Sequence, residues 1–488
     1  MNRYLVGGAH SVLALMALAG LNGCMVGPDY ERPQVEANAQ FKGAQTLDGR
    51  IARPSSVAFD RWWQGFGDPV LDHLVDTALV QNLTLEQTIA RSAQAEAVAQ
   101  GARAELFPTG QASVNVARAR QSLEDPVVAT QNAVLPGFDR TGNLYGAGVS
   151  SLWEIDLSGG LRRGSHAALA EYEAAQADVA AARLRVTASV VDNYLLIRLL
   201  QARLGVAQEQ VNTQGDIERL VEALTARGLA PDQELQQAKS ELALTRATVP
   251  VLETRLTAAR NSLDVLLGRQ PGTLEAALDK PKPIPSAPSI EAAGGTTALL
   301  RRRPDLMVAE RRLAASNERI GQAIAEYYPK VSLSALIGTT TTQASNLFSG
   351  DAGQAMGALG LRWRLFDFGR VDAQVKAAKG SYRERLAGYR QSVLEASAEV
   401  EDAISALVNG EVQEKLLANG EASRKHARDA VLASYQQGNS SYIELLETQS
   451  RLQLIQAQRL DATYAASSSA VALYKALGGG WDEPTAVE

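Results

Sequence analysis

Two long stretches of the chain, 161–227 and 370–437, combine apolar residues at helical spacing with the absence of proline. In the second stretch a four-and-three spacing is kept by Val393, Ser397, Val400, Ile404 and Leu407. This is the seam of a heptad repeat, and a similar seam runs through 184–202. The pattern predicts two helices of about 67 and 68 residues, each roughly 100 Å long, that pack against other helices as coiled coils.

Each long stretch ends in a short break that is followed by another helical segment. The breaks are 227–232 and 437–441, and they contain Gly228 and Gly438. Glycine readily takes the left-handed conformation that ends many helices. We therefore predict two antiparallel helical hairpins, each closed by a tight turn.

A period of two between apolar and polar residues predicts four β-strands in two pairs. The alternation is clear in 145–157 and 359–365, where the odd positions are apolar, and weaker in 111–117 and 331–337. Strands of this length with one apolar face are typical of transmembrane barrels, but half-buried strands of soluble sheets alternate in the same way. Four strands are too few to close a barrel, so a barrel would need strands from several copies, and three copies would give 12.

The order helix, strand pair, long helix, turn and returning helix occurs twice. One constant offset relates the pairs Trp153 and Trp363, Gly228 and Gly438, Glu234-Leu235 and Glu444-Leu445. Three landmarks with one offset indicate an internal duplication. A proline-rich segment, 280–288, separates the halves and is predicted to be extended.

The N-terminus is typical of an export signal followed by a lipid anchor. Arg3 is the only charged residue before Cys24, and an apolar core, 12–19, is too short to span a membrane. Cys24 is the only cysteine and follows Leu-Asn-Gly, a tripeptide typical of a lipobox. Acyl chains on its sulfur and on the freed amine would anchor the chain stably. An uncleaved N-terminal anchor and an isolated buried cysteine are the alternatives.

These signals divide the chain into six predicted segments. They are a signal peptide (1–23), a lipid-anchored extended segment (24–67), a first repeat (68–270), a proline-rich linker (271–295), a second repeat (296–478) and a C-terminal tail (479–488).

Composition and motifs argue against enzymes and nucleic-acid binders. The net charge of −6 lacks the basic bias of a nucleic-acid-binding protein. A single cysteine and four scattered histidines leave no disulfide and no predicted metal site, and no cofactor motif is present. The run Arg301-Arg302-Arg303 is either a phosphate-binding patch or a solvated stretch before a helix.

Several motifs, spread over 23–481, resemble TolC-like outer-membrane efflux proteins, most closely their lipoprotein branch, called NodT-type or OprM-like. They are GCMVGPDYERP (23–33), WWQGFGDP (62–69), LRRRPD (300–305), LFDFGR (365–370) and ALGGGW (476–481). The resemblance implies a mostly α fold with a membrane β-barrel. In the expected homotrimer, four strands per chain form a shared 12-stranded barrel and the long helices form an α-helical barrel in the periplasm.

The resemblance also implies a function without catalysis. The chain would be the lipid-anchored exit duct, in the outer membrane of a Gram-negative bacterium, of a tripartite efflux system of the RND type that exports small molecules. Its expected partners are two further copies, a periplasmic adaptor (membrane fusion) protein, an inner-membrane transporter and outer-membrane lipid. A type I secretion conduit and a non-transport structural lipoprotein remain the alternatives.

Functional residues follow from the same resemblance. It places the contacts with the adaptor at the turns, at Arg227, Gly228, Gln437, Gly438 and Asn439. It also implies a gate in the helical turns before Gly438, where Asp429 and Leu432 are the nearest acidic and apolar residues. The alternative is that both residues simply pack or are solvated in a coiled coil.

Overall fold

The computed structural model describes residues 25–34, 41–43, 47, 59–135, 137–273, 278–288, 290 and 302–481. The signal peptide and Cys24 therefore lie outside the described residues, as does Arg301. Among the described helices, none is both long enough and apolar enough to cross a membrane. The fold is mostly helical, with one four-stranded sheet.

The first half runs from an N-terminal 3-10 helix to a long helical hairpin. The 3-10 helix Phe59–Phe66 precedes α1 (Pro69–Gln81) and α2 (Leu83–Ala104). Next come β1 (Thr109–Arg120), α3 (Pro126–Val134) and β2 (Thr141–Ile155). The hairpin consists of α4 (Gly160–Ala226) and α5 (Asp232–Leu266).

The second half repeats this order. Helix α6 (Pro304–Ala325) leads into β3 (Lys330–Thr341), and two short 3-10 helices, Ala344–Asn346 and Gly350–Ala352, precede β4 (Gly353–Arg362). The second hairpin consists of α7 (Arg370–Gln436) and α8 (Tyr442–Ala476). The first helices of the two hairpins have 67 residues each and the returning helices 35 each, so the predicted repeat and helix lengths are confirmed.

Local signals in the sequence set the ends of the helices. Asp68 caps α1, because its carboxylate accepts a hydrogen bond from the backbone N–H of Val70 at 3.0 Å. Ser441 caps α8 in the same way, through the N–H of Glu444 at 3.1 Å. Gly228 and Gly438 have φ of +72° and +82°, so the predicted left-handed turns are confirmed.

The chain forms two compact units, which are described separately. The first comprises the described residues within Met1–Pro33, Ala93–Glu173 and Glu310–Ala387 and holds the sheet; the second comprises those within Gln34–Ser92, Ala174–Ala309 and Gly388–Glu488. In the second unit Trp62 stacks on Tyr474 with ring centroids 4.9 Å apart. The predicted seam is also part of this unit, with Val393, Val400, Ile404 and Leu407 at most 2% exposed and Ser397 half-buried.

All four strands are antiparallel, in the order β1-β2-β3-β4. The prediction that the last strand extends to 365 is wrong: β4 ends at Arg362, and Trp363 lies beyond it. In the register, Arg362 pairs with Lys330, so Trp363 would pair with Pro329. Proline has no N–H to donate, and the ladder stops there although the apolar alternation continues.

Candidate functional site

One face of the sheet is mainly apolar and exposed, with polar exceptions that include Arg118, Arg120, Asn143, Ser151, Thr339 and Thr341. Paired residues lie on the same face, so the register brings the apolar positions of all strands together. The face includes Val114, Val116, Ala147, Val149, Trp153, Ile155, Val331, Leu333, Ile337, Leu359 and Leu361. Val114, Ile337 and Leu359 are 74%, 71% and 72% exposed. A contiguous apolar surface of this kind marks a contact with lipid or with another chain.

The opposite face is mainly polar. It carries Gln111, Ser113, Asn115, Ser150, Glu154, Lys330, Ser332, Ser334, Thr340, Gln354 and Arg362, with Leu144, Leu152, Leu336 and Met356 as apolar exceptions. At one end of this face the ammonium of Lys330 lies 2.6 Å from a carboxylate oxygen of Glu326 and 3.9 Å from one of Glu154. This chemistry suits contact with water.

The two outer edges of the sheet are open. Among the described residues, β1 pairs only with β2, and β4 pairs only with β3. Within lipid, each unpaired backbone N–H or C=O costs several kcal/mol. A membrane setting therefore requires that strands of further copies complete the ladder.

Two tryptophans mark one end of the sheet. The indole N–H of Trp153 donates to the carbonyl of Leu106 at 3.0 Å, and that of Trp363 donates to Tyr327 at 3.0 Å. Each carbonyl lies two residues before the proline that precedes a strand, so the two halves use the same contact. Amphipathic rings at a strand end are typical of the interface between membrane and water.

The predicted adaptor-contact residues are exposed at the two turns. They are Arg227, Gly228, Gln437, Gly438 and Asn439. Each turn is closed by its own backbone: the N–H of Leu229 donates to Leu224 O and that of Asn439 to Ser434 O, both at 2.9 Å. Their adaptor role stays a prediction.

The two predicted gate residues have different surroundings. The carboxylate of Asp429 is half exposed and lies 2.8 Å from the guanidinium of its neighbour Arg428. Leu432 is half-buried and lines a groove of about 510 Å³ between the hairpins, together with Asp216 and Tyr442. Burial raises the pKa of the Tyr442 hydroxyl, and the nearby Asp216 carboxylate adds to this shift, so the phenol is neutral at physiological pH. The gate role of both residues stays a prediction.

A polar connection between the hairpins was missed by the sequence analysis. The side-chain amide of Gln453 on α8 donates to the hydroxyl of Thr213 on α4 at 3.0 Å, and Gln453 is 1% exposed. Nearby, Gln214 donates to Ser450 at 3.2 Å. Its position in the sequence could have predicted its burial, because Gln453 lies seven residues after Leu446, where a heptad repeat places an interior side chain.

Within the arginine run, Arg302 is exposed, whereas Arg303 fits neither the phosphate-binding nor the solvated reading. Its guanidinium is buried and lies 2.6 Å from Asp305 and 2.7 Å from Glu399, and it donates to the carbonyl of Ala476 at 3.1 Å. Burial raises the pKa of the Asp305 carboxyl, but the hydrogen bonds and charge of Arg303 outweigh this and hold it below its usual value. Arg303 thus forms buried ion pairs with Asp305 and Glu399, so its guanidinium is neither solvated nor free to bind phosphate.

Known proteins resemble this chain over nearly its whole length. The family model described as outer membrane efflux protein matches twice, over 74–269 and 296–479. The solvent efflux pump outer membrane protein SrpC of Pseudomonas putida is 30% identical over 477 residues, which cover 96% of this chain and 98% of SrpC. The cation efflux system protein CusC of Escherichia coli is 27% identical over 472 residues, 96% of this chain and 98% of CusC.

A solved structure supports the same conclusion. The structure of the outer-membrane channel OprN has a TM-score of 0.81 and 31% identity, and the match covers 94% of this chain and 100% of that chain. The helical hairpins and the two-faced sheet are therefore those of a TolC-like fold, and the chain belongs to the outer membrane efflux protein family.

Proposed function

We propose that three copies of this outer-membrane efflux protein form the exit duct of a tripartite system. The observation that carries the proposal is the two-faced sheet with two open edges. Three such sheets joined edge to edge give 12 strands, which close a barrel with the apolar face toward lipid and the polar face toward a water-filled lumen. In this proposal 68–270 and 296–478 are the two repeats, and 271–295 links them.

The turns of the hairpins are the proposed contact with a periplasmic adaptor. Exposed side chains at both turns, and the exposed Leu229 at 71%, offer a mixed polar and apolar surface. The adaptor would connect the duct to an inner-membrane transporter of the RND type, which supplies the energy. The duct itself then needs no catalytic residue and no cofactor.

The proposed cargo is a small molecule. SrpC is described as part of a solvent pump and CusC as part of a cation system, so related ducts serve chemically different cargo. In this chain the methionines of the mature part, Met25, Met307 and Met356, are scattered and offer no sulfur-lined path for a soft metal ion. We propose that the transporter selects the cargo.

Planar-bilayer recording of the purified full-length protein tests the duct. We expect a homotrimer by native mass measurement and a channel in the bilayer. A closed barrel formed by a single copy would contradict the shared barrel. A protein that inserts without any conductance, even after adaptor is added, would favour the structural lipoprotein.

Replacing Cys24 tests the lipid anchor. The Cys24→Ala variant should lose radiolabelled palmitate completely, because no other cysteine can carry the diacylglycerol. It should still form trimers, since the strands span the membrane without the acyl chains. Gel fluorography and native mass measurement of both proteins decide the question, and unchanged labelling would remove Cys24 from the proposal.

The gate residues are tested by two single substitutions. Leu432→Ser should raise the resting conductance and the sensitivity of cells to vancomycin, because it weakens apolar packing before the turn. Asp429→Ala should lower the preference for cations, read from the reversal potential in a salt gradient. If both variants conduct like the wild type, the gate lies elsewhere while the duct proposal stands.

A further inference from the structure

The segment 25–30, called the strap below, follows Cys24 directly and is held along its backbone. The N–H of Val26 donates to Ser158 O at 3.0 Å. The carbonyl of Pro28 accepts a hydrogen bond from the side-chain amide of Asn317 at 2.9 Å. The backbone is thus held at Val26 and at Pro28, two residues apart, as a solvated linker would not be.

Close backbone contacts fit the strap to its surroundings. Gly27 has φ of +94°, and a Cβ built on it would stand 2.6 Å from the Cα of Gly321. A Cβ built on Gly159 would stand 2.7 Å from the Cα of Met25. Only glycine permits these approaches, so the strap and its surroundings are shaped for each other.

A buried arginine is the centre of the cradle, defined here as Gly159, Arg163, Asn317, Glu318 and Gly321. Arg163 is 1% exposed. Its guanidinium donates to Val26 O at 3.2 Å, to Gly27 O at 3.3 Å, to the carboxylate of Asp29 at 2.8 Å and to that of Glu318 at 3.0 Å. Burial alone would lower the pKa of Arg163, but the two carboxylates raise it, so the group stays charged.

The last residue of the strap is held by a second polar contact. The hydroxyl of Tyr30 donates to Glu310 at 2.5 Å, and Glu310 also accepts from Arg311 at 2.6 Å. Burial raises the pKa of the Glu310 carboxyl, but the hydrogen bonds from Arg311 and Tyr30 outweigh it and lower the pKa below its usual value. The carboxylate is therefore charged at neutral pH and remains a strong acceptor.

The cradle joins the two halves of the chain at the middle of the sheet. Arg163 lies in the first turn of α4, shortly after β2, and Glu318 lies near the end of α6, shortly before β3. Strands β2 and β3 pair although residues 156–329 separate them, whereas the other neighbouring strands are joined by shorter connections. Of the three strand pairings, that of β2 with β3 closes the longest loop and has the largest entropic cost. This pairing therefore gains most from additional contacts that hold the two strands together.

We propose that the strap, docked in the cradle, fixes Cys24 with its acyl chains beside the junction between β2 and β3. The docked strap also stabilises the pairing of these two strands. The proposal deepens the proposed lipid anchor. The acyl chains would enter the periplasmic leaflet at one defined place on each copy, next to the apolar face of the sheet. Docking, and not acylation alone, sets where the anchor is attached.

Hydrogen exchange on the full-length acylated protein tests the dock. In Arg163→Met the amides of the strap should exchange at least about tenfold faster than in the wild type, because four bonds to the strap and Glu318 are lost. The amides that join β2 to β3 should also exchange faster, while those of both hairpin turns should exchange at the wild-type rate.

The matched control is Arg319→Met. Arg319 on α6 pairs with Glu171 on α4 at 2.9 Å, so it joins the same two helices; among the described residues it has no hydrogen bond or ion pair to the strap. The control should leave exchange in the strap unchanged. Equal effects of the two substitutions, or a strap that stays protected in Arg163→Met, would overturn the proposal.

A second variant covers the case that Arg163→Met does not fold. Gly27→Val forces a side chain against Gly321 but leaves the buried pair of Arg163 and Glu318 intact, so it should release the strap alone. Unchanged strap exchange in this variant would also overturn the dock. Palmitate labelling of the wild type is read separately: its absence refutes the lipid anchor, whereas the exchange data still decide whether the strap is docked.

Discussion

Replacing Val149 with arginine should abolish assembly of the protein in the outer membrane. Val149 lies near the middle of β2, is 58% exposed on the apolar face and is flanked by Ala112 and Ile337. An arginine that faces lipid near the bilayer midplane costs about 2–4 kcal/mol. In a trimer three copies carry this cost, so we expect almost no trimer in outer-membrane fractions.

The adjacent residue provides the control. Ser150 follows Val149 in the same strand but lies on the polar face, opposite Gln111. Ser150→Arg places the same charge in the proposed lumen, so trimer yield should stay near that of the wild type. Quantitative blots of membrane fractions compare the two variants. If both variants lose the trimer equally, or if both keep the wild-type trimer yield, the apolar face does not meet lipid.

Breaking the polar connection between the hairpins should increase channel opening. Gln453→Ala removes the buried hydrogen bond to Thr213, which contributes about 1 kcal/mol per chain. If the three copies open together, the total of about 3 kcal/mol corresponds to a roughly 100-fold rise in the open population. The physical reason is that α7 and α8 then lose a fixed contact with α4.

Another glutamine on α8 serves as the control for this prediction. Gln456 donates to Glu421 on α7 at 3.2 Å, so Gln456→Ala weakens a contact within one hairpin and leaves the connection between hairpins intact. Single-channel recording should show frequent opening in Gln453→Ala and wild-type behaviour in Gln456→Ala. A lower open population in Gln453→Ala would assign the contact to the open state and refute its role in closure.

The proposals for this chain rest on contacts and not on catalytic chemistry. If the chain is the duct proposed above, its function depends on how the sheet meets lipid and how the hairpins move. The proposals rest on three contact surfaces, which are the apolar face of the sheet, the connection at Gln453 and the cradle of the strap. Each is built from side chains whose partners lie far away in the sequence.

The helices and turns could be predicted because their signals are local. The absence of proline, the capping residues Asp68 and Ser441 and the left-handed glycines at 228 and 438 act within a few residues of where they stand. The alternation along β2 likewise follows from the geometry of a single strand. The end of β4 was misplaced, because Pro329, just before the neighbouring strand, decides where the ladder stops. The prediction that 24–67 is extended throughout was also wrong, since its last residues form the 3-10 helix Phe59–Phe66, and helix α3 was not predicted.

The tertiary structure alone decided which polar residues are buried together. By composition, Arg163, Arg303 and Gln453 look like solvated positions, since their partners Glu318, Glu399 and Thr213 lie at least 96 residues away in the sequence. Each is buried because an acceptor from another part of the chain lies within hydrogen-bonding distance, and a buried charge is tolerated only with such partners. The sequence by itself determined the elements and their repeat, whereas the pairing of β2 with β3, the docked strap and the contact between the hairpins arise only when segments far apart in the chain meet.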